Sequence, residues 1–86
     1  MPEICRFFGI LISMYYNDHN PPHFHVRYGE QRAIVEIKTL DVREGYLSPR
    51  VYGLVTEWAV IHREELERNW ARARDQAPLN RIAPLE

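Results

Sequence analysis

One cysteine, four glycines, no internal repeat, no surplus of either charge and no apolar run long enough to cross a bilayer: this 86-residue sequence first declares itself by what it has little of. A single thiol, Cys5, excludes an internal disulfide framework. The longest apolar stretch, Phe7 to Met14, falls far short of the roughly 20 residues a transmembrane helix needs. No positively charged segment followed by an apolar run and a small-residue cleavage site opens the chain, so a soluble cytoplasmic protein with no membrane association is expected. Eleven Lys and Arg against twelve Asp and Glu leave a net charge of −1. Proteins that grip nucleic acid through phosphates usually carry a basic excess, so whole-molecule attraction to RNA or DNA is not expected, although a local basic patch is compatible with neutrality.

What is present is the composition of a folded protein: 45% hydrophobic, 27% charged and 12% aromatic residues. The length allows one hydrophobic core, and a domain of this size is stable by only about 5–10 kcal/mol. A single domain over residues 1–86 is expected, with residues 77–86 (APLNRIAPLE) as an extended C-terminal arm that docks Leu79, Ile82 and Leu85 on its own domain or on a neighbour.

The first half is rich in β-branched and aromatic residues. Ile4 to Tyr16 reads as one long strand, apolar on both faces, with Gly9 as an interior bulge. Such a strand needs something packed on each side of it, or a partner that covers one side. Asn17 to Pro22 (NDHNPP) is a loop by its chemistry. His23 to Tyr28 and Gln31 to Lys38 form a hairpin about Gly29-Glu30, a two-residue turn with glycine first. Its register pairs Tyr28 with Gln31, Val26 with Ala33 and Phe24 with Val35. Phe24, Val26, Ala33, Val35 and Ile37 then share the core face, and His23, His25, Arg27, Arg32, Ile34, Glu36 and Lys38 the other, with Glu36 directly across from His23.

After a turn, Thr39 to Leu47 supplies a short edge strand. Ser48-Pro49 starts a helix, with Ser48 as N-cap and Pro49 where its missing N–H costs nothing. Val51, Leu54, Val55, Trp58, Ile61, His62, Leu66, Asn69, Trp70 and Ala73 recur at spacings of three and four, an amphipathic stripe that covers the sheet, with a break near His62-Arg63 where apolar density falls. The fold class is α+β: an antiparallel β-meander of three to four strands packed by one long or broken C-terminal helix.

Chemistry concentrates in NDHNPPHFH, Asn17 to His25, which holds three of the four histidines. His23 and His25 are two apart on a strand, hence on one side, with Cα atoms about 6–7 Å apart. Three readings of these residues stand together. As a metal site, His23 and His25 with Asp18, His19 or Glu36 would hold a divalent transition metal such as zinc and leave a position for water. As a metal-free acid–base pair, two imidazoles would move protons while Arg27, Arg32 or Lys38 stabilises the transition state of RNA cleavage by a neighbouring 2′-hydroxyl. In a purely structural role, the histidines donate to backbone carbonyls and fix the loop, with Asp18 capping the turn. His62, Trp58 and Trp70 read as core residues, and Cys5 as packing, since no proton acceptor stands near it in sequence.

The segments PEICRFFGI, MYYNDHNPPHFHVRYGE, EWAVIHREELERNW and RIAPLE together resemble the bacterial family known as domain of unknown function 4160, over nearly the whole chain. The resemblance implies no activity. It implies a gene beside that of a second small protein, an arrangement similar to a toxin–antitoxin pair. The family pattern often has Ala or Ile at the position of Cys5, which argues against a catalytic thiol. The functional expectation is a toxin–antitoxin-like component acting on RNA through the histidine-rich hairpin face, with His19, His23, His25, Arg27 and Glu36 as catalytic residues. The alternatives are a non-catalytic protein-binding module, antitoxin-like or adaptor, and a metal-binding domain with Asp18, His19, His23 and His25 as ligands. Whether the chain is an enzyme is left open. The expected partners are a small protein encoded nearby and RNA, or a second copy of the chain.

Overall fold

The computed structural model describes residues 3–86. Five strands, β1 (Glu3–Phe7), β2 (Ile10–Ser13), β3 (His23–Tyr28), β4 (Gln31–Glu36) and β5 (Val42–Tyr46), precede two helices, α1 (Pro49–Ile61) and α2 (Arg63–Arg74). The strands form one antiparallel sheet in sequence order, so each strand pairs with its neighbour in the chain. The fold is therefore α+β, a meander followed by C-terminal helices. It has five strands where three or four are expected, because the apolar segment Ile4 to Tyr16 is two strands and not one.

The cause is Phe8-Gly9. Both residues have positive φ, 51° and 81°, which is the backbone of a type I′ turn, and Phe7 pairs with Ile10 across it. Phenylalanine at the first turn position hides this signal. Its ring is 59% exposed at the tip of the hairpin. Gly9 is required there, since a Cβ would meet the Tyr28 ring at 3.2 Å in a left-handed backbone. Folding back also removes the argument for an outside cover: Ile4, Cys5, Phe7, Ile10, Ile12 and Met14 are all buried within the chain.

The β3–β4 register is the expected one, from Tyr28 opposite Gln31 to His23 opposite Glu36. Gly29 has positive φ, as a type II′ turn demands at its first central position. Phe24, Val26, Ala33, Val35 and Ile37 are buried, whereas Arg27 and Arg32 are exposed, so the two faces divide as the alternation requires. On its other side β3 pairs with β2, which sets Ser13 opposite His25 and Leu11 opposite Arg27. Strand β5 is exposed along its whole length.

Ser48 caps α1 by accepting from the Val51 N–H, with Pro49 in the first turn. The helix ends at His62, whose N–H bonds to the Trp58 and Ala59 carbonyls, and α2 begins at Arg63, where the break is expected. Ile61, which the apolar spacing puts in the buried stripe, is 66% exposed, because the buried face of α1 is made by Val51, Val55, Trp58 and Ala59. Trp58 is wholly buried against Phe7 and Phe24, with ring centroids 5.6 and 6.0 Å away.

From Ala77 onward the arm lies on its own domain. Ile82 is buried and its N–H donates to the Ile4 carbonyl at 2.9 Å. Ile4 sits at the register slip between Glu3 and Cys5, which leaves that carbonyl free for the arm. Trp58 donates its indole N–H to the Ala83 carbonyl at 2.8 Å, and the buried Asn69 amide bonds to both the N–H and the carbonyl of Asn80. Among the described residues no helix is long and apolar enough to cross a membrane.

Candidate metal centre

Strand β3 begins at His23, and the loop before it is folded back so that Asp18 returns to the strand's first turn of chain. The Pro22 carbonyl accepts from the Ile37 N–H, and the Asn17 side chain accepts from Gln76, two residues past the end of α2, so the loop is tied at both ends. The result is a meeting of three side chains. One oxygen of Asp18, Oδ2, lies 2.8 Å from His23 Nε2 and 3.1 Å from His25 Nε2. The other, Oδ1, accepts from the His19 backbone N–H at 2.9 Å.

The environment of this trio is partly closed. His23 is buried, with its ring 5.1 Å from that of Trp70 on α2 and 5.4 Å from that of His25. His25 is half-buried and meets the Tyr15 ring edge-on at 4.3 Å. Burial pushes the Asp18 carboxyl up, but hydrogen bonds from His25, the His19 N–H and His23, together with the charge of His23, outweigh it and hold the group below the usual carboxylate range. Asp18 is an anion at neutral pH.

The hydrogen bonds of His23 define what this anion faces. Its Nδ1 is 2.8 Å from the Pro21 carbonyl, which can only accept, so Nδ1 carries a hydrogen. In the neutral ring Nε2 then presents a lone pair straight at the carboxylate oxygen, an acceptor against an acceptor. A positive centre resolves the conflict, either a proton on Nε2 or a metal ion shared by Nε2 and the carboxylate. A histidine with one nitrogen bound to a backbone carbonyl and the other free is the arrangement that orients metal-ligating imidazoles.

The dimensions suit a cation. The three ligand atoms all lie within 4.8 Å of one another. Around tetrahedral zinc with bonds of about 2.0–2.1 Å, neighbouring ligand atoms are about 3.3 Å apart. The Asp18–His23 contact at 2.8 Å and the Asp18–His25 contact at 3.1 Å need to open only slightly to admit it.

Not every residue expected at the site is there. The His19 imidazole is exposed and stands outside the cluster; the residue contributes its backbone N–H alone. Glu36 is opposite His23 in the ladder, but its carboxylate accepts from Thr39 Oγ1 at 3.2 Å and closes the β4–β5 turn instead. Arg27 is two residues beyond His25 and lines a groove of about 380 Å³ on the open face of the sheet, together with Tyr15, His25, Arg32, Ile34 and Glu44. Cys5 is wholly buried with its thiol pushed up by that burial, in keeping with packing. His62 pairs with Glu65 and lies against Trp58, away from the cluster.

Two contributors escape the sequence reading, Tyr15 and Trp70 in its role beside His23. Had Phe8-Gly9 been read as a turn, the alternation from Ser13, opposite His25, would have carried Tyr15 onto the histidine face. Trp70 offers no comparable signal, since its place beside His23 depends on the angle of α2.

Over residues 9–71 the chain matches the family described as domain of unknown function (DUF4160), and it belongs to that family. The matched segment includes Asp18, His23, His25 and both groove arginines. No curated protein and no solved structure matches the chain.

The lowered Asp18 ionisation gives a stability prediction in metal-free protein. A carboxyl whose folded-state value is depressed contributes stability that is complete above its unfolded value, about 3.9, and is lost as pH falls through the folded value. Asp18→Asn should therefore unfold at lower urea concentration than the parent at pH 7, and the gap between the two should close as the pH is taken below about 4. A gap that stays constant from pH 7 to 3 would show that the carboxylate charge contributes nothing.

Proposed function

We propose that this DUF4160 chain is a metal-binding domain in which Asp18 Oδ2, His23 Nε2 and His25 Nε2 hold one divalent transition metal ion such as zinc, with a further coordination position directed to the groove on the open face of the sheet. The observation that carries the reading is His23, whose Nδ1 hydrogen is committed to the Pro21 carbonyl while its Nε2 faces a carboxylate oxygen already shared with His25. Two imidazoles and one carboxylate are a ligand set that accepts zinc and related metals and leaves room for water. A metal ion held by these three residues would lower the pKa of its bound water to about 7, the chemistry that a hydrolytic role for the histidine-rich face would use.

The resemblance to a family whose genes commonly lie beside that of a second small protein supports a two-chain, toxin–antitoxin-like module, with this domain as the component that acts through the histidine face. Co-expression of the two products should yield a complex that survives gel filtration, and separate elution of both would remove the module from the account.

Metal binding is tested by titrating tag-free, chelator-treated protein with cobalt or zinc. One equivalent should bind, with the visible absorption of low-symmetry cobalt. His23→Ala and His25→Ala should each weaken binding at least tenfold, and His19→Ala should not change it. Absence of binding, or equal loss in the His19 variant, would contradict the assignment.

A further inference from the structure

The groove beside the cluster holds a pair of charges that the fold itself does not use. Arg27 and Arg32 are direct partners in the β3–β4 ladder. They follow the pair that flanks a two-residue turn, so they belong to the closely spaced kind, with Cα atoms about 4.5 Å apart. Like charges placed directly opposite each other weaken a sheet. Both side chains are exposed, and among the described residues neither forms an ion pair or a side-chain hydrogen bond. Glu44 lines the same groove without pairing with either. Among the described residues only Arg6 and Arg81 form arginine ion pairs, both with Glu3, so it is adjacency and not the lack of a partner that sets Arg27 and Arg32 apart.

We infer that Arg27 and Arg32 form a phosphoryl-binding subsite, and that the groove takes a nucleotide-sized phosphate ester. Guanidinium groups offer planar donor forks that match phosphate oxygens, and two forks from adjacent strands suit a dianion better than one. The groove volume of about 380 Å³ lies at the lower end of small-ligand sites, enough for a mononucleotide. Leu11 and Ile34 supply apolar surface, and Tyr15 and His25 supply ring faces or edges against which a base can pack. A net charge of −1 gives no long-range pull on an extended polyanion, which favours a compact ligand over a long strand.

The subsite deepens the metal-centre reading, because His25 belongs to both: its Nε2 faces Asp18, and its ring borders the groove. Arg27 is two residues further along the same strand, about 6–7 Å in Cα position. A phosphoryl group held by the arginines therefore lies within reach of an ion held by the cluster. The anion site does not itself need the metal.

Isothermal titration with adenosine 5′-monophosphate, inorganic phosphate, adenosine and a short single-stranded oligoribonucleotide tests the inference, in both chelator-treated and zinc-loaded protein. The monophosphate should bind in both states, adenosine should not, and Arg27→Gln with Arg32→Gln should weaken the monophosphate at least tenfold. Inorganic phosphate should bind more weakly than the monophosphate, through the same arginines. The double variant should unfold at the same or a higher temperature than the parent, since a repulsive pair has been removed. Binding that appears only with zinc would make the metal the anion's ligand and overturn the arginine subsite while leaving the metal reading intact. Binding of the oligoribonucleotide alone would overturn the nucleotide-sized ligand, and so would unchanged monophosphate affinity in the double variant or a loss of stability in it.

Discussion

The Asp18 carboxylate, set against two imidazoles within a partly closed site, is the contact on which this structure turns. Its Oδ2 faces the Nε2 atoms of His23 and His25, and its Oδ1 accepts from the His19 N–H. Because His23 has already committed its other nitrogen to a backbone carbonyl, the balance depends on a proton or a metal ion. A solvated loop would relieve the tension by swinging Asp18 outward. Here the loop is held by Pro22 bonded to Ile37 and by Asn17 bonded to Gln76, so the carboxylate stays.

That restraint reaches through the whole chain. Strand β3 lies in the middle of the sheet, between β2 and β4, and its alternation sends Phe24 and Val26 into the core while His25 and Arg27 face the groove. The same strand thus anchors the fold and presents its chemistry. Helix α2 brings Trp70 over His23, and the buried Asn69 beside it in sequence fastens the arm. A small domain has little surplus stability. It is consistent with this economy that the elements holding the core also hold the site, and that the arm closes on the outer edge through Ile82 and Trp58.

Much of this was legible in the residues. The β3–β4 register followed from one glycine and strict alternation, and it correctly put His23 and His25 on one side; Ser48-Pro49 and the fall in apolar density at His62 marked the helix start and break. What could not be read has physical causes. A turn built on Phe8 looks like the interior of an apolar strand, since a bulky side chain at positive φ runs against local preference. Glu36 shares a ladder position with His23, but register fixes backbones and not the direction of a flexible carboxylate, which found Thr39. His19 is near the cluster in sequence while its ring turns to solvent. The location of Trp70 depended on the angle between two helices, which no local pattern records.

Nitrogen-resolved NMR of the histidine rings during addition of zinc distinguishes the two nitrogens of each imidazole, and so tests whether His23 and His25 ligate through Nε2. His23 should keep its hydrogen on Nδ1 throughout, and zinc should move the Nε2 resonances of His23 and His25 together to the metal-bound range at one equivalent while His19 and His62 stay unchanged. Unaltered Nε2 resonances at His23 and His25, or a hydrogen found on His23 Nε2 and retained there in the presence of excess zinc, would contradict that ligation.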